Sequence, residues 1–138
     1  MEKTLAIIKP DIVSRGLTGE ILERIEVAGF QLLGMRLIRM TKAEAEGFYQ
    51  VHREKAFYQS LTSYMSSGPS IVMVLEKDGA ILAWREMMGA TDPAAAALGS
   101  IRRFYGLDVE RNSVHGSDSP ESTAFEIPFF FQKADLIS

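Results

Sequence analysis

The order of its segments predicts that this chain is an α+β protein with a ferredoxin-like βαββαβ sandwich, a four-stranded antiparallel sheet covered by helices. Short apolar runs bounded by turn residues lie at residues 4–9 and 70–75, and runs of this kind favour buried strands. Residues 20–28 and 80–88 carry apolar side chains at helical spacing, and a glycine follows each segment. Strand and helix signals in this order give the βαββαβ core.

The first part of the chain predicts a strand, a helix and a second strand. Residues 4–9 are mostly apolar and end at Lys9, directly before a proline. The helix over residues 20–28 has an apolar face formed by Ile21, Leu22, Ile25 and Ala28. Residues 30–40 predict the second strand, because apolar residues alternate with others. The alternating set is Leu33, Met35 and Leu37 against Gly34 and Arg36.

A helical hairpin is predicted for residues 41–65. Thr41 and Glu44 have the spacing of a capping box, with Thr41 as the N-cap. The second helical segment covers residues 56–65. Both segments are rich in aromatic residues, which allows two interpretations: most of them belong to the core, or one or two form an apolar slot for a planar ring.

After the strand at residues 70–75 and the helix at residues 80–88, a long mixed segment runs from residue 89 to 111. Arg85 lies at the edge of the helix's apolar face, where it either reaches a site or lies along the surface on its apolar stem. Long segments of weak periodicity in a compact domain are usually functional or disordered. Three arginines in or beside this segment favour function if the ligand is a polyanion.

The fourth strand is predicted around Val114, and the last helix is predicted to begin near Pro120. A serine or aspartate before this proline supplies the N-cap, and Asp118 is expected to have such a capping role. Pro128 lies well inside the helix. It is expected to kink or end the helix, because proline removes one hydrogen bond and crowds the carbonyl of Ala124.

Composition narrows the classes of function. At 138 residues the chain is expected to form a single domain over residues 1–138. The absence of cysteine excludes disulfides and thiolate metal sites. A formal net charge of −3 gives no general attraction to nucleic acids or anionic membranes. The apolar runs at residues 5–8 and 71–75 are too short for a signal peptide or a membrane span, so a cytoplasmic location is expected.

Residues 112–119, Asn-Ser-Val-His-Gly-Ser-Asp-Ser, carry the strongest chemical signal. The neutral imidazole of His115 is available as a nucleophile near pH 7, and the start of the following helix favours an anion beside it. Gly116 allows a close approach of a ligand or another chain. A lone histidine before a helix is more often structural, but the pattern Asn-x-x-His-Gly-Ser-Asp-Ser resembles the signature of nucleoside diphosphate kinases.

The resemblance covers about residues 3–132, with its separate motifs in the family's order and spacing. The other motifs are Ile7-Ile8-Lys9-Pro10-Asp11, Gly47-Phe48-Tyr49 with Phe57, Ser67-Gly68-Pro69, Arg85-x-x-x-Gly89-x-Thr91-x-Pro93 and Gly99-Ser100-Ile101-Arg102. The family has the βαββαβ core, which agrees with the fold predicted from the pattern.

By this resemblance the protein is expected to move a γ-phosphoryl group from a nucleoside triphosphate, mainly ATP, to a nucleoside diphosphate. The reaction would be ping-pong, through a phosphohistidine formed at Nδ1 of His115. The other expected roles are phosphate binding for Lys9, Arg85, Thr91 and Arg102, contact with the sugar for Lys9 and Asn112, stacking on the base for Phe57, a position beside the histidine for Tyr49, and support of the imidazole for Ser117 and Glu126.

The resemblance also implies a cofactor and an assembly. Mg²⁺ is expected to enter with the nucleotide, bridging phosphate oxygens, with no dedicated protein ligands and with Asp118 at most a helper through water. Nucleoside di- and triphosphates are the expected small-molecule partners. The family forms dimers within tetramers or hexamers, so a homo-oligomer is expected. A ring face does not separate purine from pyrimidine, which predicts weak selectivity for the base.

Five positions depart from the family's usual residues: Ile12, Ala56, Asp92, Arg103 and Pro128. None has a role assigned in the chemistry, but Ala56 could loosen the base slot, Pro128 could shift Glu126, and Arg103 could contact phosphate or a neighbouring subunit. Two other functions remain: a catalytically weak relative that binds nucleic acid or regulates, and a structural module of the same fold. The acidic balance and the filled site positions favour the kinase.

Overall fold

The computed structural model describes residues 1–137. Its helices and strands are β1 (Glu2–Ile8), α1 (Pro10–Ser14), α2 (Thr18–Val27), β2 (Gln31–Ile38), α3 (Lys42–Phe48), α4 (Tyr58–Met65), β3 (Ser70–Lys77), α5 (Ala80–Met88), α6 (Ile101–Tyr105), β4 (Val114–Gly116) and α7 (Pro120–Phe130). Short 3₁₀ turns lie at Gln50–His52, Pro93–Ala95 and Lys133–Asp135. None of the helices within residues 1–137 has the length and apolar character needed to cross a bilayer.

The four strands form one sheet in the order β2-β3-β1-β4, and every neighbouring pair is antiparallel. This topology confirms the predicted ferredoxin-like α+β fold. Strand β1 is central, and β4 pairs with its second half, so that His115 lies opposite Ile7. The pairing brings the end of β1, where Lys9 follows, beside the short strand that carries the histidine.

Helices cover both faces of the sheet, and β1 contributes to both cores. Ala6 and Ile8 pack on one side with α2, α5 and α6, whereas Leu5 and Ile7 pack on the other with α3, α4 and α7. All four side chains are fully buried. This alternation is the two-residue period of a strand, and each buried large aliphatic side chain contributes about 1.5–3 kcal/mol.

Several element bounds differ from those predicted. Helix α1 was not predicted, because Lys9-Pro10 indicated only the end of a strand, whereas Pro10 in fact occupies the first turn of a helix. Helix α2 begins at Thr18 rather than at residue 20, and α4 begins at Tyr58 rather than at residue 56. The mixed segment from residue 89 to 111 contains the 3₁₀ turn Pro93–Ala95 and the helix α6.

The predicted alternation in β2 is wrong. Leu33 is buried, but Met35 is 48% and Leu37 68% exposed. The register between β2 and β3 shifts between Leu32 and Gly34, so that Leu33 is an extra residue in the pairing. Such a bulge moves a side chain to the other face of the sheet, and β2 is also an edge strand that lacks a neighbour on one side.

Helix α7 begins at Pro120 with a serine as its N-cap, as predicted. The capping role expected of Asp118 is wrong. The Ser119 hydroxyl accepts a hydrogen bond from the Ser122 N–H and is the N-cap, whereas Asp118 accepts one from the Ser122 hydroxyl. Pro128 lies inside the helix, which ends two residues later at Phe130. Pro128 lacks the N–H that would bond to the Ala124 carbonyl, but it does not itself end the helix, which continues through it for two residues.

Candidate active site

A cleft of about 450 Å³ opens between the residue that follows β1, the α3–α4 hairpin, α5, the segment from residue 89 to 112, and β4. Eight of the predicted site residues line it: Lys9, Tyr49, Phe57, Arg85, Thr91, Arg102, Asn112 and His115. The other two, Ser117 and Glu126, lie behind the histidine and bond to each other. The fold thus brings together residues that are spread over most of the sequence.

Strand β4 and helix α5 position the histidine backbone. The Trp84 indole Nε1–H donates to the His115 carbonyl at 3.1 Å. A Cβ built on Gly116 would lie 2.4 Å from Cδ1 of Trp84, which leaves room for glycine alone. The close approach at Gly116 is therefore made by a buried indole of the same chain, whereas a ligand or another chain was expected.

The imidazole of His115 is held through Nε2. Its Nε2 lies 2.9 Å from Oε1 of Glu126, and the Ser117 hydroxyl donates to the same carboxylate oxygen at 2.9 Å. The two side chains of the pair are only 20% and 13% exposed. A carboxylate accepts and does not donate, so this contact favours the tautomer with the proton on Nε2. Nδ1 then keeps its lone pair, as a nucleophile requires.

Two aromatic rings fix the plane of the imidazole. Phe48 and Tyr49 present edges to it, with centroids 5.3 Å and 5.9 Å away. Burial, with the Glu126 charge adding to it, raises the pKa of Tyr49 far above its usual value. Tyr49 therefore keeps its proton at neutral pH and can act as a hydroxyl donor in the cleft.

Lys9 is fixed at the floor of the cleft. Its Nζ donates to the Glu110 carbonyl at 2.6 Å and to Oδ1 of Asn112 at 2.8 Å. The pKa of Lys9 is lowered to about 8, mainly by burial; the charge of Asp11 opposes this, and that of Arg102 adds to it. A phosphate beside Lys9 would favour its charged form, because an opposite charge nearby raises a lysine pKa.

Arg102 and Arg85 add two further positive charges. The guanidinium of Arg102 donates to the carbonyls of Gly89 and Val114, each at 2.9 Å. Burial lowers the pKa of Arg102 to about 10, and the Arg85 charge contributes to this. Within residues 1–137, no carboxylate lies within 4.0 Å of the charged nitrogens of Lys9, Arg85 or Arg102. Three cations that lack carboxylate partners in one cleft favour a polyanionic ligand.

Asn112 connects the lysine to the loop that carries Thr91. Its Nδ2 donates to the Thr91 carbonyl at 2.9 Å and to the Val109 carbonyl at 3.1 Å. Both oxygen and nitrogen of the Asn112 amide are thus bonded within the protein, and the side chain is buried. These bonds give the cleft one defined wall before any ligand enters.

Phe57 lies at the cleft rim, 48% exposed, where a flat ring can stack on it. His52 also lines the cleft, and its ring centroid is 5.4 Å from that of Phe57. His52 was not among the site residues predicted from the sequence. Two signals could have found it: it lies three residues after Tyr49, and it is the chain's only other histidine. Asp118 was predicted only as a cap or a helper, and it too lines the cleft.

Arg103 does not line the cleft, since its Nη1 donates to the Ala94 carbonyl at 3.1 Å. The described residues contain no group of three or more His, Cys, Asp or Glu that could hold a metal ion.

Comparisons with known proteins identify the family of this chain. A family model described as "Nucleoside diphosphate kinase" matches residues 2–136. The nucleoside diphosphate kinases of Geotalea daltonii and Geobacter sulfurreducens are each 58% identical to this chain over 137 residues, 99% of this chain and 100% of theirs.

Two solved structures give the same result. Superposition on the nucleoside diphosphate kinase of Aquifex aeolicus gives a TM-score of 0.97 at 44% identity and covers 99% of both chains. The halophilic enzyme of Halobacterium salinarum, solved in complex with CDP, gives 0.95 at 39% identity and covers 99% of this chain and 91% of that one. The chain belongs to the nucleoside diphosphate kinase family.

Proposed function

We propose that this protein transfers the γ-phosphoryl group of a nucleoside triphosphate, mainly ATP, to a nucleoside diphosphate by a ping-pong reaction through a phosphohistidine at His115. The observation that carries this proposal is the contact between Nε2 of His115 and Glu126, which leaves Nδ1 as the nucleophilic nitrogen of the ring. The cations of the cleft and the family of the chain support the same reaction.

In the first half-reaction, the lone pair on Nδ1 forms a bond to the γ-phosphorus. The bond from this phosphorus to the β,γ-bridging oxygen breaks, and the diphosphate leaves with that oxygen. The proton on Nε2 stays on the ring, where Glu126 stabilises the positive charge that develops. In the second half-reaction, a terminal phosphate oxygen of the acceptor attacks the phosphohistidine, and the electron pair of the broken P–N bond returns to Nδ1.

Positioning and charge neutralisation are the protein's main tasks in such a transfer. Arg85 and Arg102 supply planar guanidinium groups that bind two phosphate oxygens at once. Lys9 supplies a third charge beside Asn112. Both side chains line the cleft, which supports the proposed contacts of Lys9 with phosphate and of both residues with the sugar. The hydroxyls of Thr91 and Tyr49 provide further donors, since burial keeps the proton on Tyr49.

Mg²⁺ is proposed to bind through the phosphate oxygens of the nucleotide, because the hard cation prefers oxygen ligands and keeps several waters. When bound, it supplies neutralisation of phosphate charge. The side chain of Asp118, which lines the cleft, is suited to hold a water of that ion. Its pKa is lowered mainly by the hydrogen bond from Ser122, so the carboxylate stays charged at neutral pH.

The proposed base site is the open face of Phe57 at the rim. A ring face accepts any base, so weak base selectivity is expected. The relative from Halobacterium salinarum was solved with CDP, which supports a nucleoside diphosphate as one of the ligands.

We also propose that the protein, as one domain over residues 1–138, acts as a homo-oligomer in the cytoplasm, as a tetramer or a hexamer built from dimers. The edge strand β2 supports an assembly, because it leaves Met35 and Leu37 exposed beside unpaired backbone groups. The segment after residue 96 exposes further apolar residues: Leu98, Phe104, Leu107 and Val109. Light scattering on the purified protein tests this expectation, and a monomer mass would contradict it.

The test of the reaction is a phosphoenzyme trap. The protein is mixed with γ-labelled ATP and Mg²⁺, quenched, and assayed for label that survives alkali but is lost in acid. A chase with GDP then shows whether the label moves to GTP. His115→Ala should carry no label, whereas His52→Ala, which removes the other histidine, should still be labelled. A folded parent protein that takes no label would refute the proposed function.

A further inference from the structure

One residue next to the site has an unusual backbone. Ser113 has φ 82°, and among residues 1–137 it is the only non-glycine residue with a positive φ. The Val114 N–H donates to the Asn112 carbonyl at 3.0 Å and closes a three-residue turn around it. A turn of this kind with positive φ is rare and strained, so surrounding contacts must hold it.

The Ser113 side chain does not hold the turn. The residue is fully buried, and its hydroxyl has no hydrogen-bond partner within the described part of the chain. Its backbone groups are bonded instead: the Lys9 N–H donates to the Ser113 carbonyl at 2.9 Å, and the Ser113 N–H donates to Oδ2 of Asp11 at 3.1 Å. Residues 9–11 therefore bind both peptide groups of Ser113.

Asp11 is in turn held by Tyr64. The Tyr64 hydroxyl donates to Oδ1 of Asp11, and the Asp11 N–H donates to the same hydroxyl oxygen at 2.8 Å. Burial, together with the hydrogen bond to Asp11, raises the pKa of Tyr64 well above its usual value, so the hydroxyl stays a donor. Asp11 is itself buried, and the reaction proposed above uses neither residue.

The turn has the site on both sides of it. Asn112, which binds Lys9, comes directly before Ser113. Val114 and His115 come directly after Ser113. These neighbours of Ser113 line the cleft, whereas Ser113 itself does not. A change of Ser113 to a negative φ would redirect the chain at this point. It would move the asparagine and the histidine relative to each other.

We propose that Asp11, fixed by Tyr64, is a positioning residue: by holding the Ser113 N–H it keeps the strained turn that sets Asn112 and His115 in the cleft. The proposal rests on His115 as the proposed nucleophile. Asp11 does not line the cleft, so we assign its positioning role to the turn; its charge also acts on Lys9.

The test uses glycine, which adopts positive φ without strain. Asp11→Ala, Ser113→Gly and the double variant are compared with the parent, and Asp78→Ala is the control, because its exposed carboxylate contacts only the N-terminus. Two properties are measured. The first is the set of ¹⁵N and ¹H NMR signals of the His115 ring without nucleotide, which the His52→Gln variant assigns because it removes the signals of the other histidine. The second is the rate of phosphorylation by ATP.

Asp11→Ala should shift the His115 ring signals and slow phosphorylation by at least about tenfold, as expected for a misplaced reacting group. In the Ser113→Gly background, the same change should leave the ring signals in place and slow the reaction by less than about threefold. Equal losses in both backgrounds, or unchanged ring signals in Asp11→Ala, would overturn the proposal.

If Asp11→Ala does not fold, Tyr64→Phe replaces it, because this change removes only the hydroxyl that fixes Oδ1. The same shift of the ring signals, smaller in size, is then expected, and unchanged signals would overturn the proposal. The ring spectra need no nucleotide. A parent protein that is not phosphorylated would therefore refute the proposed function, while the spectra would still decide whether Asp11 holds the turn.

Discussion

Replacement of Gly116 by alanine tests how the fold positions His115, the proposed nucleophile. The new Cβ would lie 2.4 Å from Cδ1 and 2.7 Å from Nε1 of Trp84, and 2.8 Å from Cε of Met88. Non-bonded carbon atoms normally approach to about 3.5–4.0 Å, so the indole or β4 has to move by about 1 Å. Trp84 is fully buried, and its ring is bonded to the His115 carbonyl, so it has little freedom to give way.

The expected cost has two parts. Insertion of one carbon into a well-packed core costs about 1–3 kcal/mol. Loss of the hydrogen bond from the indole would add about 1 kcal/mol. The sum, roughly 2–4 kcal/mol, corresponds to a fall in Tm of roughly 7–14 °C for a chain of 138 residues. A movement of β4 by about 1 Å would also slow phosphorylation by up to about 100-fold.

The assay is a thermal melt at one protein concentration, followed by the rate of label uptake from ATP. Gly19→Ala is the matched control, because its Cβ would have open space and the residue lies in helix α2. That change should raise stability by roughly 0.5–1 kcal/mol. If Gly116→Ala melted with the parent protein and took up label at the parental rate, the role given to the Trp84 contact would be wrong.

Three further predictions test other parts of the structure. Thr41→Ala removes the hydroxyl that caps α3 and should lower the free energy of unfolding by about 1 kcal/mol in urea denaturation; an unchanged midpoint would contradict this. Because burial lowers the pKa of Lys9 to about 8, the free protein loses this proton above that pH, and a bound phosphate should restore it. Calorimetry of ADP binding near pH 9, in buffers of different ionisation enthalpy, should therefore detect proton uptake that is absent from Lys9→Arg. Glu126→Gln removes the charge bonded to His115 and should slow phosphorylation by about 10- to 100-fold, as measured by rapid quench. Ser117→Ala should slow phosphorylation less, because it leaves this charge in place. Equal effects of the two changes would argue against a role for the charge of Glu126.

Local features of the fold could be predicted from the sequence. The capping box of Thr41 and Glu44 forms as predicted, because both hydrogen bonds lie within one turn of a helix. The helix over residues 80–88 has the predicted bounds, since its apolar spacing and its terminal glycine are local signals. The motif around His115 identified the family because its residue types and spacing are specific. The resemblance also predicted roles for the remaining site residues, and these roles stay predictions.

The structure alone decided features that depend on packing between distant segments. The bulge that separates Leu33 from Met35 arises from the register of β2 against β3, which a period-2 pattern in one strand does not contain. The contact of Asp11 with Tyr64 and Ser113 joins positions 53 and 102 residues away, without any pattern in the sequence.

The same distinction holds for the site. The sequence determined which residues have the chemistry for phosphoryl transfer: an imidazole, a carboxylate, three cations and an aromatic ring. The tertiary structure decided which nitrogen of His115 meets Glu126, how far burial lowers the pKa of Lys9, and that Trp84 fills the space beside Gly116. Hydrogen-bond geometry, desolvation and close packing are set by atoms from several segments at once, so they exist only when the chain is folded.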